Sequence, residues 1–221
     1  ASIPALEKYA ETHDDFIIVC EGGMNFYRGH PVLHKYAYDN WHKGLFEDKI
    51  KDRDCMTPEP YRIWHYYNQK CSLAQAFDIE INGLDEPREL PAPNITLAKG
   101  EGIQGLQLVD EAIKTTGKEK VIVIQPFGRG IMDTGGYMFD PTSRSFNLQD
   151  ISTIINDLKK DYCVIVMSEF PFTTEEKESK DAYILPNIED IRIWAGIIDR
   201  ADHFLGCDSV GQHIAKAVDS T

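Results

Sequence analysis

The chain has 221 residues, enough for one large domain or two smaller ones with a substantial apolar core. Its 36 Asp and Glu residues outnumber its 23 Lys and Arg residues, and the formal net charge of -13 argues against a nucleic-acid partner, whose phosphates would be repelled. Hydrophobic residues make up 42% of the sequence, too many for a disordered chain, and the longest apolar runs are too short for a membrane span. We therefore expect a soluble globular protein.

The cysteines and the two ends of the chain bear on its location. The five cysteines contain no Cys-x-x-Cys pair, and Cys20 and Cys163 lie in apolar runs, which is typical of buried free thiols in a reducing compartment. The N-terminus shows no secretory signal. Because the chain begins at Ala1 without Met and stops at Thr221 directly after a helical stretch, we expect it to be a piece of a longer protein, apparently truncated at both ends.

The first half of the chain opens with a helix and a strand. The helix is expected over residues 4–12, and residues 15–20 form a continuous apolar run that predicts a strand covered on both faces. Residues 32–38 fit either a helix or a short strand. Apolar residues at helical spacing predict a helix over residues 61–77, whose aromatic segment 64–67 is expected to face the interior, with ligand binding as the alternative.

The second half alternates strands and helices. Residues 85–102 hold the densest group of prolines and glycines and predict a linker or a crossing strand, and we expect the domain boundary near residue 115. The strands are expected at 120–125, 162–168, 184–185 and 203–207, and the helices at 105–116, 147–160, 188–201 and 211–218, with a Gly-rich loop at 126–136 and a solvated helix or loop at 173–181. This alternation predicts an α/β fold with a parallel sheet.

One candidate site follows the last strand. Ligands of open parallel sheets bind at the carboxyl ends of strands, and Asp208 and Ser209 stand where that strand meets the next helix. There the two side chains can cap the helix, and its free N–H groups can bind an anion, above all a phosphate. His213, one turn into the helix, could reach a bound diphosphate or sugar. The alternative is that these residues only cap and pack.

A second candidate loop follows the strand at 120–125. Gly128 lets a ligand approach the backbone, and Arg129 or Arg144 could neutralise a diphosphate, although a surface loop with solvated arginines is the alternative. The pattern G-x-x-x-x-G-K-[ST] of a Walker loop is absent. The seven histidines include no H-E-x-x-H pair and no His/Cys cluster at zinc spacing, so we expect no metal site.

These segments together resemble glycosyltransferase family 9, the ADP-heptose:lipopolysaccharide heptosyltransferase type. Residues 208–217 (DSVGQHIAKA) are similar to the family signature D-[ST]-G-x-x-H-x-A-x-A, with Val210 where the family has Gly and Gly211 one position later. Residues 121–128 resemble the strand and donor loop of the family, and Arg144 matches its basic residue before an aromatic. Residues 185–195 resemble the helix before the signature strand of the family, so the resemblance is strong over residues 184–217, whereas residues 1–35 resemble the family more loosely.

The resemblance implies a fold, a reaction and a site. It implies two Rossmann-like domains of the GT-B type: an acceptor-side domain over residues 1–115, whose first strand is missing, and an incomplete nucleotide-sugar domain over residues 116–221. The implied reaction is inverting, metal-independent transfer of a heptose or similar sugar from a nucleotide diphosphate to a hydroxyl of a glycan or lipopolysaccharide-type acceptor, with the general base upstream of Ala1. The implied donor site consists of Asp208, Ser209, Gly211, His213, Gly128, Arg129 and Arg144.

The partners implied are a nucleotide sugar, with ADP among the candidate nucleotides, and a glycan acceptor, without a cofactor. The implied location is cytoplasmic, with at most peripheral contact with the inner membrane. Two other functions fit the same fold: a protein that binds nucleotide sugars or serves in assembly without catalysis, and a sugar-nucleotide epimerase. The sequence leaves the donor, the acceptor and the oligomeric state open.

Overall fold

A computed structural model describes residues 1–128, 130–134, 138–168, 182–184, 188 and 190–218. The chain divides into two compact units, Ala1–Thr96 and Leu97–Thr221. The division lies inside the stretch 85–102, which is rich in proline and glycine. A boundary near residue 115 would instead place the helix Lys99–Thr116 in the first unit. Both units combine helices with parallel strands, which confirms the predicted α/β class with open parallel sheets.

The first unit holds one small parallel sheet. Its elements are α1 (Ile3–Ala10), β1 (Ile18–Cys20), β2 (Ala37–Asp39), α2 (Trp64–Tyr67) and α3 (Leu73–Asn82). Strands β1 and β2 pair in parallel, with Ile18 opposite Ala37. One core cluster of the unit consists of Ile3, Tyr27, Leu33, Tyr36 and Ala37, against which Ile18 packs. On the other side of β1, Val19 is 46% exposed, so the expectation of a strand covered on both faces is wrong here.

The helix predicted over 61–77 is interrupted. Gln69 has a φ of +58°, a left-handed conformation that ends the short α2. A new helix then begins at Ser72, whose hydroxyl accepts a hydrogen bond from the Gln75 N–H (3.3 Å) while the Gln75 side chain accepts one from the Ser72 N–H (2.9 Å). The interior position expected for segment 64–67 is also wrong for two of its residues, since Trp64 is 58% and Tyr67 is 79% exposed.

The second unit is built on a four-stranded parallel sheet. Its elements are α4 (Lys99–Thr116), β3 (Val121–Gln125), β4 (Met132–Asp133), β5 (Met138–Phe139), α5 (Leu148–Leu158), β6 (Cys163–Val166), β7 (Ala182–Ile184), α6 (Ile191–Ile198), β8 (His203–Gly206) and α7 (Val210–Ala217). The strand order is β7-β6-β3-β8. The antiparallel pair β4–β5 extends from within the predicted Gly-rich loop. The segment predicted at 173–181 lies outside the described residues.

Strand β3 is the centre of this sheet. All five of its residues are buried, and Ile122 and Ile124 pack against Ile151 and Ile155 of α5. Asp202 fixes the start of the strand, because its N–H donates to the Val121 carbonyl (2.9 Å) and its carboxylate accepts from the Val121 N–H (2.7 Å). The apolar run at 120–125 thus forms the fully buried strand that its pattern predicts.

Helix α4 begins at Lys99 rather than at residue 105, because tertiary contacts stabilise its first turn. Glu101 accepts a hydrogen bond from the Ala98 N–H (2.7 Å) and pairs with the buried Arg192 of α6 through two contacts of 2.8 Å. The two helices approach closely: a Cβ on Gly105 would lie 2.5 Å from the Gly196 carbonyl carbon. Gly100 and Gly102, which the sequence indicates as part of a linker, therefore lie in a helix that packs against α6.

None of the helices in the described part of the chain is both long and apolar enough to cross a membrane.

Candidate functional site

The order of the strands defines one crevice in the second unit. From β3 the chain moves outward through β6 to β7, and β8 then returns to the opposite side of β3. In open α/β sheets, ligands bind beyond the carboxyl ends of the strands at such a reversal of order. Here the reversal lies between β3 and β8, where Gln125 is aligned with Gly206. The loops that follow these strands are the two candidate loops of the sequence.

Gln125 links the end of β3 to the beginning of α7. Its buried amide nitrogen donates to the Ser209 hydroxyl (3.1 Å), and its amide oxygen accepts from the Gly211 N–H (3.1 Å). The Gln125 carbonyl also accepts from the Cys207 N–H (3.0 Å). A single side chain thereby fixes the loop that carries the signature residues, because both of its polar atoms are used.

Gly211 occupies a position that has no room for a side chain. A Cβ at this residue would collide with the Gln125 amide oxygen and would lie 2.5 Å from Cζ of Phe204. The glycine one position after Val210 therefore allows α7 to begin directly against the end of the sheet. The N–H of Gly211, expected to be available to a diphosphate, is bonded to Gln125 in this structure.

Ser209 and Asp208 stand at the expected end of the helix, but neither caps it in the expected way. Ser209 occupies the N-cap position in extended conformation without a side-chain cap hydrogen bond. Its half-buried hydroxyl faces Gln125, while the exposed Asp208 carboxylate accepts a hydrogen bond from the Gln212 side chain. The capping role thus passes to Gln125, which comes from the neighbouring strand.

His213 lies half-buried in the first turn of α7. Burial lowers the pKa of this histidine, and the Asp208 carboxylate acts against that shift. The neutral ring is therefore favoured near pH 7. A neutral imidazole can donate one hydrogen bond to a phosphate oxygen or accept one from a hydroxyl.

The other candidate loop brings Gly128 and Arg144 together. A Cβ on the buried Gly128 would lie 4.0 Å from the Arg144 Cβ and 4.0 Å from the Cys207 Sγ. The Gly128 N–H donates to the Ser145 hydroxyl (3.0 Å), which holds the segment before α5 against the loop after β3. Arg144 is exposed, so its guanidinium is open to an anion at this edge. Arg129, the other arginine predicted here, lies outside the described residues.

The structure thus places six of the seven predicted donor residues at the carboxyl edge of two adjacent strands. Gly128 and Arg144 lie on the β3 side, and Asp208, Ser209, Gly211 and His213 lie on the β8 side. Among the described residues, no group of three or more His, Cys, Asp or Glu side chains lies together in a way that could hold a metal ion.

Sequence reasoning missed Gln125 and Ser145, the residues that hold the two loops. The signal for Gln125 was a lone polar residue at the end of an apolar strand, where a buried amide needs partners. The signal for Ser145 was weaker, a serine near Asp140 in a turn-forming segment.

Comparison of the chain with protein-family models, with curated proteins and with solved structures finds no match.

Proposed function

We propose that the protein is an inverting, metal-independent glycosyltransferase of the GT-B type, similar to glycosyltransferase family 9. It would transfer a heptose or similar sugar from a nucleotide diphosphate to a hydroxyl of a glycan or lipopolysaccharide-type acceptor. The observation that supports this proposal best is the meeting of the two resembling segments at the reversal of strand order. Gln125 bonds both Ser209 and Gly211 there, and Gly128 lies beside Cys207.

The proposed donor contacts follow from the chemistry of the leaving group. As the bond between the anomeric carbon and the diphosphate breaks, negative charge grows on the diphosphate, and a fixed cation and hydrogen-bond donors stabilise it. Arg144 supplies the cation, and His213 and the Ser209 hydroxyl supply polar contacts on the other side. Since Gly211 donates to Gln125, the side chains carry most of this recognition in our proposal.

The acceptor hydroxyl attacks the anomeric carbon from the face opposite the diphosphate, which inverts its configuration. A carboxylate base takes the hydroxyl proton, and the resemblance places this base before Ala1. Two Rossmann-like domains of a GT-B enzyme would position donor and acceptor for this step. Nucleotide-sugar binding without transfer is the alternative function.

The donor site can be tested by calorimetric titration of the protein with ADP, UDP, GDP and CDP, with and without Mg²⁺. We expect one nucleotide to bind equally well in both conditions and the His213→Ala variant to bind it about tenfold more weakly, as the loss of one hydrogen bond to a charged group predicts. His203→Ala is the matched control, because His203 lies at the opposite end of β8.

The outcomes separate the candidate functions. Equal weakening by both histidine variants, or no binding of any nucleotide, would overturn the proposed donor site. Binding of one nucleotide without transfer of its sugar to any glycan acceptor would favour the binding protein, and conversion of the nucleotide sugar without an acceptor would favour the epimerase.

A further inference from the structure

The segment before α5 is organised around one carboxylate, that of Asp140. Its Oδ1 accepts hydrogen bonds from the Thr142 N–H (2.8 Å) and hydroxyl (2.6 Å). Its Oδ2 accepts from the Ser145 N–H (2.9 Å) and hydroxyl (2.6 Å). These four bonds hold the pKa of Asp140 well below its usual range, with the two hydroxyls as the largest contributors. Both oxygens of an ionised Asp140 are therefore committed to the protein.

This carboxylate is connected to the loop after β3. The Ser145 hydroxyl that donates to Asp140 also accepts from the Gly128 N–H (3.0 Å), so Asp140, Ser145 and Gly128 form one continuous chain of hydrogen bonds. Next to it, the Phe146 N–H donates to the Pro126 carbonyl (3.0 Å). The segment is thus fixed to the loop at two points.

The backbone between these bonds is strained. Ser143 has a φ of +55°, in the left-handed region that a residue with a side chain rarely adopts. Such a conformation persists only when the surroundings enforce it, and here the Ser143 N–H donates to the Asp140 carbonyl (3.1 Å) between the residues that its carboxylate holds. Arg144 is the next residue. The direction in which Arg144 leaves the backbone therefore depends on the turn that Asp140 maintains.

We infer that Asp140 is a positioning residue that directs Arg144 towards the phosphate groups of a nucleotide diphosphate bound beside Gly128. This inference rests on the proposed function and adds to it a residue outside the predicted donor set. Asp140 does not touch the ligand in this arrangement, because its four bonds occupy both oxygens. Its negative charge would repel a diphosphate, so its presence near the site is explained by the turn and not by direct contact.

A double-mutant cycle on nucleotide binding tests this role. The variants are Asp140→Ala, Arg144→Gln and the two combined, and the probe is the nucleoside diphosphate that the unsubstituted protein binds best. We expect Asp140→Ala to weaken binding about tenfold in the original protein and less than twofold when Arg144 is already Gln. Binding of the matching nucleoside, which lacks phosphates, should stay unchanged. Asp157→Ala, an exposed aspartate at the end of α5, is the control and should leave both affinities unchanged.

The same loss in both Arg144 backgrounds, or an equal loss for the nucleoside, would overturn the positioning role and leave the proposed donor site standing. Absence of nucleotide binding by the unsubstituted protein would overturn both. Should Asp140→Ala fail to fold, Ser145→Ala provides the same cycle, because it removes the hydroxyl between Asp140 and Gly128. Additive losses for Ser145→Ala and Arg144→Gln would then refute the inference.

Discussion

The two units differ in how they bury their parallel strands. In the second unit, β3 lies between two neighbouring strands and all five of its residues are buried. In the first unit, β1 pairs with β2 alone, and Val19 is 46% exposed while Ile18 packs on the core. Both faces of β3 are thus covered, whereas one face of β1 packs on a core and the other is open to solvent.

Both units bury polar groups that fix their elements, but their ion pairs differ in exposure. In the second unit, the buried Arg192 pairs with the largely buried Glu101 between two helices, and Gln125 joins β3 to α7. In the first unit, the buried Asp78 pairs with Arg88, whose side chain is half exposed. We therefore expect the loss of the Glu101–Arg192 pair to cost more stability than the loss of the Asp78–Arg88 pair.

The largest effect is expected from Glu101→Gln, which replaces the carboxylate that pairs with the buried Arg192 by a neutral amide. Removing one partner of a buried ion pair costs about 3–5 kcal/mol of the free energy of unfolding. Chemical denaturation followed by the fluorescence of Trp194, in a background with Trp41→Phe and Trp64→Phe, measures this loss because Trp194 is buried in the second unit. Glu111→Gln, at an exposed position of α4, is the control, and equal effects of the two variants would contradict the expectation.

A matched pair of valines compares the two strands directly. Val123→Ala in β3 should lower the free energy of unfolding by about 2–3 kcal/mol, because two buried methyl groups are lost and a cavity remains. Val19→Ala in β1 should cost less than about 1 kcal/mol, since this side chain is already half in water. Denaturation curves followed by circular dichroism measure both, and similar losses would remove the distinction between the strands.

The buried His30 should make the stability of the first unit depend on pH. Its Nδ1 accepts from the Leu33 N–H (3.1 Å) and its Nε2 lies 3.2 Å from the Glu7 carboxylate. Burial lowers the pKa of His30, whereas Glu7 acts to raise it and His34 to lower it further. The unfolded chain therefore takes up a proton first, and stability should fall as the pH decreases below about 6.5, with a slope of at most about 1.4 kcal/mol per pH unit.

This dependence can be measured by chemical denaturation at pH values from about 5 to about 8, which lie on both sides of the ordinary histidine pKa. His30→Asn should reduce the slope, whereas His13→Asn, at an exposed position, should leave it unchanged. A rise in stability on acidification that depends on His30 would show that the effect of Glu7 exceeds that of burial.

The smallest effects are expected at the exposed aromatic residues of the first unit. Tyr67→Ala should change the free energy of unfolding by less than about 0.5 kcal/mol, because the ring is exposed. Trp64→Ala also removes the contact between the Lys70 ammonium and the Trp64 ring (4.4 Å), so its effect should reach about 1 kcal/mol at most. Thermal unfolding of the two variants measures this. A loss above about 2 kcal/mol for either would mean that these rings contribute to a core after all.

Sequence patterns predicted the presence of helices and strands better than the burial of their faces. The apolar runs at 15–20 and 120–125 both predicted strands, and both contain one, yet burial on two faces holds only for the second. The difference depends on which other parts of the chain pack over the two faces of each strand, which no local pattern contains. Similarly, Gly100 and Gly102 indicated a linker, but the ion pair of Glu101 with a residue far along the chain extends α4 over them.

The candidate site was predictable to the same extent. The positions of Ser209 and Gly211 at the start of a helix after a strand followed from the sequence, because that junction is local. The use of the Gly211 N–H by Gln125 did not, since it depends on the pairing of β3 with β8. The link from Asp140 through Ser145 to Gly128 did not follow from the sequence either, because Gly128 and Ser145 are far apart along the chain and no local pattern predicts their contact.

Hydrogen exchange with and without the best-binding nucleotide diphosphate tests the central proposal most directly. If the donor binds at the reversal of strand order, amide protection should increase in residues 127, 128 and 207–213, and the increase should be much smaller in His213→Ala at a nucleotide concentration near the Kd of the unsubstituted protein. Protection that increases elsewhere, for example at the opposite edge of the sheet near Asp202 and His203, with these two segments unchanged, would contradict the proposed site.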